Sequence, residues 1–166
     1  DHIVLRKSGE GLAWGSVYVQ YTLPLDEIRS ASNGLSIARR WEIKKGEAWQ
    51  PLADGSTVDA GATLRQVITI SADRDLDFVS VKASRPAGLE PLTALSGYDW
   101  ESGAYHAVRD ASDEYFYRKF PKGKLTFTVE GRAMRIGTFR SGLVRAQSQY
   151  APEYNAFVPS FTLTVK

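Results

Sequence analysis

The sequence has 166 residues, of which 43% are hydrophobic and 24% charged, a composition typical of one soluble globular domain with a sizeable core. Its net charge of +2 and its scattered basic residues give no reason to expect a nucleic acid or an anionic membrane as partner. The absence of cysteine excludes disulfides, a thiolate nucleophile and cysteine-based zinc sites, and no apolar run approaches the roughly 20 residues that span a bilayer.

The first predicted strands lie near the amino terminus. Residues 2–5 form a short apolar run, and residues 12–23 form a longer β run that ends at Pro24, because proline cannot donate to a sheet. Residues 26–31 predict at most one helical turn. The pair Asn33-Gly34 then predicts a tight turn between strands.

The middle of the chain alternates apolar and polar side chains, the period of a half-buried strand. In residues 64–72 this places Leu64, Ile68 and Ile70 on the core side and Arg65 and Thr69 on the solvent side. Further strands of this kind are predicted at 36–44, 78–83, 105–108 and 114–120.

The carboxy-terminal third predicts a β-hairpin and an aromatic loop. Pro121 to Gly123 forms a tight turn, residues 125–130 alternate as a strand, and residues 139–148 run back beside them. Pro152 stops the pairing between Tyr150 and Tyr154, and residues 161–165 supply a closing strand.

About nine short strands with turn signals between them, and no convincing long helix, predict an all-β protein with little helix. The expected architecture is a single antiparallel β-sandwich of the immunoglobulin-like kind over residues 1–166.

No group of residues predicts a catalytic centre, a metal site or a cofactor site. The two histidines, His2 and His106, lack carboxylate partners at a fixed ligand spacing. A hydrolase that uses Ser96, His106 and Asp110, or Ser141 as nucleophile, is possible by inventory alone, but the GxSxG nucleophile turn is missing. The sequence therefore favours a protein that is not an enzyme.

Aromatic side chains in or beside loops are the better functional candidates, because tyrosine and tryptophan on a rigid edge anchor protein contacts. Tyr150 and Tyr154 flank Pro152 and are expected to be exposed, whereas Trp100 and Phe157 are expected to cover the core. An alternative function is a carbohydrate- or surface-binding module in which Tyr98 and Trp100 form a stacking platform.

Five short segments follow one another in a familiar order between residues 64 and 154. They are the PAG-containing segment 77–91, the VRD motif and aromatic strand at 108–117, FPKG at 120–123, the segment 132–139, and AQSQYAPE at 146–153. Together these segments resemble the carboxy-terminal part of bacterial α2-macroglobulins.

The resemblance implies the last macroglobulin-like domain, a β-sandwich, of a much larger protein of which residues 1–166 are a carboxy-terminal fragment. It implies a broad-spectrum protease trap in the periplasm or cell envelope, which could carry a lipid anchor upstream. The implied partners are other domains of the same chain and, through the full-length protein, target proteases. The fragment itself is expected to insert into no membrane and to bind no nucleic acid.

The resemblance also implies a role for the aromatic loop. In relatives with a thioester, a Met-Tyr pair in this domain shields the thioester from water. The matching positions here are Gln149 and Tyr150, so that the tyrosine agrees and the methionine does not. Gln149, Tyr150 and the nearby Tyr154 are thus the expected interdomain or thioester-shielding residues. A glutamine excludes water less well than a methionine, which would suit a homologue with no thioester.

Overall fold

The computed structural model describes residues 4–15, 17, 19, 20 and 22–166. This part of the chain forms strands and no helix, which confirms the all-β prediction, and it therefore offers no helix that could cross a membrane. The strands are β1 (Ala31–Asn33), β2 (Leu35–Lys45), β3 (Ala48–Leu52), β4 (Thr57–Val58), β5 (Thr63–Ala72), β6 (Leu76–Ser84), β7 (Leu89–Pro91), β8 (Gly97–Asp99), β9 (Ala104–Val108), β10 (Ser112–Phe120), β11 (Gly123–Ala133), β12 (Gly137–Arg140), β13 (Val144–Ser148), β14 (Asn155–Val158) and β15 (Thr162–Val165).

A large antiparallel sheet folds over to form both layers of the sandwich. One layer has the order β7-β11-β5-β2, with β3 beside β2, and the other has the order β14-β13-β6-β10-β9-β8. The short strand β1 pairs with both β2 and β14 and so joins the layers. Ile68 and Ile70 of the first layer share one buried cluster with Val79 and Val81 of the second, as the alternation of apolar side chains requires.

A second buried cluster lies between the first layer and a small sheet of order β12-β15-β4. Trp41 stacks on Phe161 with ring centroids 4.7 Å apart, and Leu163 is fully buried beside them. Arg39 also packs over the Phe161 ring, and burial lowers the pKa of Arg39 to about 10. The carboxy-terminal strand therefore closes a core of its own.

The predicted amino-terminal strands are not found in the described residues. The described residues of 12–23 belong to no strand, and Leu12, Trp14 and Val19 are exposed. Tyr18 and Tyr21 lie outside the described residues, as do the first residues of the predicted strand 2–5. Apolar alternation shows that a segment suits a strand, but a strand also needs a neighbour to pair its N–H and C=O groups.

The predicted hairpin of 125–130 with 139–148 is wrong, although the tight turns before β2 and β11 are confirmed. Strand β11 pairs with β5 and β7 because Phe127 and Val129 face the core beside Ile68 and Ile70. Residues 139–148 divide between β12 in the small sheet and β13 in the large one. The division falls at Ser141, whose Oγ accepts a hydrogen bond from the Phe161 amide at 2.9 Å.

Candidate interaction surface

The outer face of β6, β10 and β13 carries aromatic side chains that do not enter the core. Along β10, Tyr115 and Tyr117 point inward and are buried, so Phe116 between them must point outward, where it is 43% exposed. Burial raises the pKa values of both inward tyrosines. The strand register places Phe116 directly between Ser80 of β6 and Tyr105 of β9.

Phe78, near the start of β6, lies on the same face and has an unusual backbone. Its φ of 51° is in the left-handed region, which a bulky side chain rarely adopts, and its ring is 45% exposed. Two hydrogen bonds hold the backbone in this conformation. The backbone N–H of Gln149 donates to the Phe78 carbonyl at 2.9 Å, and Ser148 Oγ, at the end of β13, donates to the Asp77 carbonyl at 3.1 Å. An exposed, strained aromatic is typical of a functional position.

Tyr150 projects from this surface on an internally bonded loop. Its side chain is 80% exposed, and its ring meets the Phe78 ring edge to face with centroids 5.0 Å apart. The loop closes through the Tyr154 amide, which donates to the Ala151 carbonyl at 2.9 Å, and through the Ser148 amide, which donates to the Tyr154 carbonyl at 3.0 Å. The structure thus confirms the predicted exposure of Tyr150 and shows that its ring packs on Phe78.

The Gln149 side chain is exposed and is bonded to strand β6. Its amide nitrogen donates to Ser80 Oγ. Gln149 and Phe116 also line a mostly apolar groove of about 260 Å³. The hydrogen bond ties the loop to β6, so Gln149 contributes to the position of the loop.

Tyr154 behaves differently, and the prediction that it is exposed is wrong. Its ring is half-buried against the main core and fills the space beside Gly34, where a Cβ atom would overlap it. Arg74 lies over the ring at 4.9 Å from its centroid and donates from Nη1 to the hydroxyl oxygen at 2.9 Å. Tyr154 therefore packs within its own domain.

Tyr98 and Trp100 lie at the far edge of the same layer, on and just after β8. Their rings meet edge to face, with centroids 4.7 Å apart and planes inclined at 67°. Trp100 is 88% exposed, so the expectation that it covers the core is wrong. Tyr98 is paired with Tyr105 across β8 and β9, which extends the aromatic row of Phe116 to the sheet edge.

The residues of the hydrolase hypothesis are used for other contacts. His106 Nε2 lies 2.8 Å from Oδ1 of Asp113, not of Asp110, and Asp113 is also bonded to the buried Arg85. Ser96 Oγ accepts a hydrogen bond from the Val108 amide at 2.9 Å, and Ser141 is fully buried. His2 lies outside the described residues, among which no cluster of three metal-ligating side chains occurs.

Sequence reasoning missed Phe78 and Phe116 as surface residues. The signal for Phe116 was present, because the run Tyr115-Phe116-Tyr117 within one strand must turn one aromatic away from the core. Phe78 gave no such signal. Its exposure follows from a backbone angle that depends on contacts with residues 148 and 149, about seventy positions later.

Comparison with known proteins identifies the relatives of this fold. The family model described as the bacterial α2-macroglobulin MG10 domain matches residues 34–153. No curated protein sequence matches the chain significantly.

Among solved structures, Salmonella α2-macroglobulin reacted with methylamine shares 24% identity over 82% of the chain with a TM-score of 0.66. The native conformation of Escherichia coli α2-macroglobulin shares 18% over 87% with a TM-score of 0.69. The Escherichia coli protein activated by porcine elastase shares 18% over 84% with a TM-score of 0.70.

At these identities the likeness establishes the fold. The chain spans only a small part of these structures: 10% of the Salmonella chain, 10% of the native Escherichia coli chain and 14% of the elastase-activated one. The residues that match the family model, 34–153, include Phe78, Phe116 and Tyr150.

Proposed function

The chain belongs to the bacterial α2-macroglobulin family, whose MG10 domain it contains, and on that premise we propose that it is a non-catalytic interaction domain of a protease trap. It acts as one domain of a longer polypeptide in the periplasm or cell envelope. Its Tyr150 loop packs on a neighbouring domain and holds the native arrangement until a protease cuts elsewhere in the chain. Target proteases are engaged by the whole protein.

The observation that carries this proposal is the combination of exposure and fixed position at Tyr150. An aromatic side chain that is 80% exposed adds little to the stability of its own domain. Nevertheless its loop is closed by backbone hydrogen bonds, and the ring is supported by the strained Phe78. Rigid aromatic side chains of this kind lose little conformational entropy when a partner covers them.

Gln149 has a supporting part in the proposal. Because its amide is bonded to Ser80, it does not provide the apolar cover that a methionine would give. The loop therefore acts by packing, and Gln149 keeps it against β6. This arrangement suits a protein in which the loop holds two domains together, whether or not a thioester is present in the longer polypeptide.

The carbohydrate-binding alternative is less well supported. Sugar rings stack on flat aromatic surfaces, whereas the planes of Tyr98 and Trp100 are inclined at 67° to each other. The exposure of Trp100 keeps the alternative testable with a glycan array, on which the proposed function expects no binding.

The direct test compares the longer polypeptide carrying Tyr150→Ala with its parent. The substitution should shift the protein toward its protease-treated form before any protease is added, measured as mobility in a native gel. Tyr98→Ala is the matched control, because it removes an exposed tyrosine from the other edge of the same layer.

The 166-residue chain alone should inhibit neither trypsin nor elastase. Stoichiometric inhibition by this chain, or a Tyr150→Ala protein that stays in the native form like the control, would contradict the proposed function.

A further inference from the structure

We propose that Phe116 and the grooves on either side of it form a second docking point, which receives an apolar side chain flanked by carboxylates on another domain of the same polypeptide. The inference rests on the proposed function, because it names a further part of the contact that Tyr150 begins. We call this area the Phe116 surface and define it by Phe78, Ser80, Phe116, Arg118 and Arg145.

The Phe116 surface consists of a central aromatic side chain with a groove on either side of it. On one side of Phe116 lies the apolar groove of about 260 Å³, which extends to Phe78 and Arg118. On the other side a groove of about 330 Å³ runs past Ser80 to Arg145. Phe116 and Phe78 are each almost half exposed, and contiguous exposed apolar area of this kind marks an interaction site.

Charge gives the surface its selectivity. Most charged groups near Phe116 have an oppositely charged neighbour: Glu114 lies 3.7 Å from Lys82 Nζ and 3.6 Å from Arg109 Nε, and Asp77 lies 2.7 Å from Lys119 Nζ. The two arginines at the ends of the grooves are different.

Arg145 donates to the neutral Gln147, and Arg118 makes no ion pair; within the described residues no carboxylate pairs with either arginine. A partner that places carboxylates at both ends of the grooves would neutralise Arg118 and Arg145.

The same charges argue against a second copy of this chain as the occupant. Two copies that met through this surface around a two-fold axis would bring Arg118 and Arg145 of each toward those of the other. Like charges across an interface disfavour such a pairing.

A different domain of the same polypeptide does not have to place arginines opposite Arg118 and Arg145. The relatives are long enough to contain such a domain. In the Salmonella and native Escherichia coli structures this region accounts for 10% of the chain, so that nine tenths of each relative lies outside it. The Phe116 surface is also continuous with the Tyr150 loop through Phe78, so one neighbour can cover both.

The test uses cysteine accessibility, because the 166-residue chain has no cysteine of its own. Phe116→Cys, Tyr150→Cys and Trp100→Cys are each made in this chain and in the longer polypeptide, and the rate of maleimide labelling is measured at the introduced site by mass spectrometry. Trp100 is the control, because it lies beyond the edge strand of the same layer.

In this chain all three sites should label readily. In the longer polypeptide the cysteine at position 116 should label at least about tenfold more slowly, because labelling then requires the domains to open. The labelling rate at position 100 should change little.

A charge arm tests the chemistry of the partner. In the longer polypeptide, Arg118→Glu with Arg145→Glu should restore much of the labelling at position 116, because the reversed charges repel the carboxylates. Arg118→Lys with Arg145→Lys should retain most of the protection. Arg132→Glu, an exposed arginine on β11 in the other layer, should have no effect. Protection that survives the charge reversal would overturn the carboxylate assignment.

The outcomes separate this inference from the proposed function. Protection at 150 without protection at 116 overturns the inference and leaves the proposed function standing, whereas protection at neither site overturns both. Protection at 116 that appears in the isolated chain and grows with its concentration assigns the surface to a second copy. Protection of the isolated chain by soluble glycans assigns it to a carbohydrate. Either result overturns the inference.

Discussion

Two tyrosines four residues apart, Tyr150 and Tyr154, show how one loop serves two purposes. Tyr154 turns back into the domain, where it covers Gly34 and binds Arg74 through its hydroxyl group. Tyr150 turns away and contacts only the exposed ring of Phe78 among the aromatic side chains of the described residues. One tyrosine stabilises the fold, and the other is held ready for contact.

The difference arises from what each ring meets and not from the loop sequence. Tyr154 meets a glycine in a left-handed conformation, which leaves room for a ring, and an arginine that can lie over it. Tyr150 meets the outer face of a sheet, where its ring contacts the exposed ring of Phe78 and stays 80% exposed. Substitution of Tyr154 should therefore lower the stability of the domain more than it affects docking. Substitution of Tyr150 should affect docking more than stability.

The largest effect on stability is expected for Tyr154→Ala in the 166-residue chain. Removal of the ring leaves a space beside Gly34 and the main core, and the free energy of unfolding should fall by about 2–3 kcal/mol, the lower end of large-to-small substitutions because the ring is half-buried. Tyr154→Phe, which removes only the hydroxyl contact with Arg74, is the control and should cost far less. Urea unfolding of the three proteins measures this, and equal midpoints would place Tyr154 with Tyr150 as a docking residue.

Gly34→Ala tests the same contact between Gly34 and the Tyr154 ring by changing the glycine instead of the tyrosine. A Cβ atom at this position would overlap the Tyr154 ring, and the φ of 67° disfavours any L side chain, so a loss of about 2 kcal/mol is expected. In a Tyr154→Ala background the steric part should disappear and about 1 kcal/mol of backbone strain should remain. A double-mutant cycle by urea unfolding gives this coupling. Additive costs would show that the ring and the glycine do not limit each other.

The two tyrosines also show where sequence reasoning succeeds. The period-two pattern gave the buried side of β5 correctly, because Leu64, Ile68 and Ile70 alternate with polar residues on one strand. The exposure of Tyr150 followed from Pro152, which ends the strand locally. Properties that depend on neighbours in sequence were therefore predictable.

Properties that depend on distant partners were not. The sequence around Tyr154 contains nothing that points to Gly34 or Arg74, more than seventy residues away. In the same way, the pairing of β11 with β5 instead of a following hairpin strand depends on which apolar faces meet in the core. Likewise, alternation in residues 12–23 cannot show whether a pairing strand is available.

A smaller change in the free energy of unfolding, of opposite sign, is expected for a substitution of Phe78, whose ring contacts Tyr150. Asparagine tolerates the left-handed region better than phenylalanine, so Phe78→Asn should leave the chain as stable as before or up to about 1 kcal/mol more stable. Val79→Asn is the contrasting control, because the neighbouring side chain is buried and its replacement should destabilise strongly. Thermal melts decide the matter. A clear loss of stability in Phe78→Asn would show that its ring serves the fold more than the surface.

Arg74, which contacts Tyr154, is positioned by an ion pair with Asp73, and this ion pair should make a small, pH-dependent contribution to the stability of the fold. Arg74 Nε donates to Asp73 Oδ1 at 2.9 Å, and this hydrogen bond holds the pKa of Asp73 below its ordinary value. A carboxyl group with a lowered pKa stabilises the fold when it is ionised, and this stabilisation is lost as the pH falls below about 4.

The difference in melting temperature between the parent and Asp73→Asn should therefore be present at pH 7 and shrink toward pH 3. A difference that grew on acidification would contradict this account.

The smallest effect on the isolated chain is expected for Tyr150→Ala, the substitution that most sharply separates the two tyrosines. Because the ring is 80% exposed and packs only on another exposed ring, its loss should change the free energy of unfolding by about 0.5 kcal/mol or less, as surface changes usually do. In the longer polypeptide the same ring is expected to lie in a domain contact, where a central aromatic anchor is worth about 2 kcal/mol or more.

Tyr150→Ala should therefore be nearly silent in a melt of the 166-residue chain, where Tyr154→Ala is not, and should loosen domain packing in the longer polypeptide. If a thioester is present there, its reaction with methylamine should also become faster. A loss of about 3 kcal/mol in the isolated chain, the value for a core aromatic, would mean that Tyr150 covers its own domain and that the loop has only one purpose.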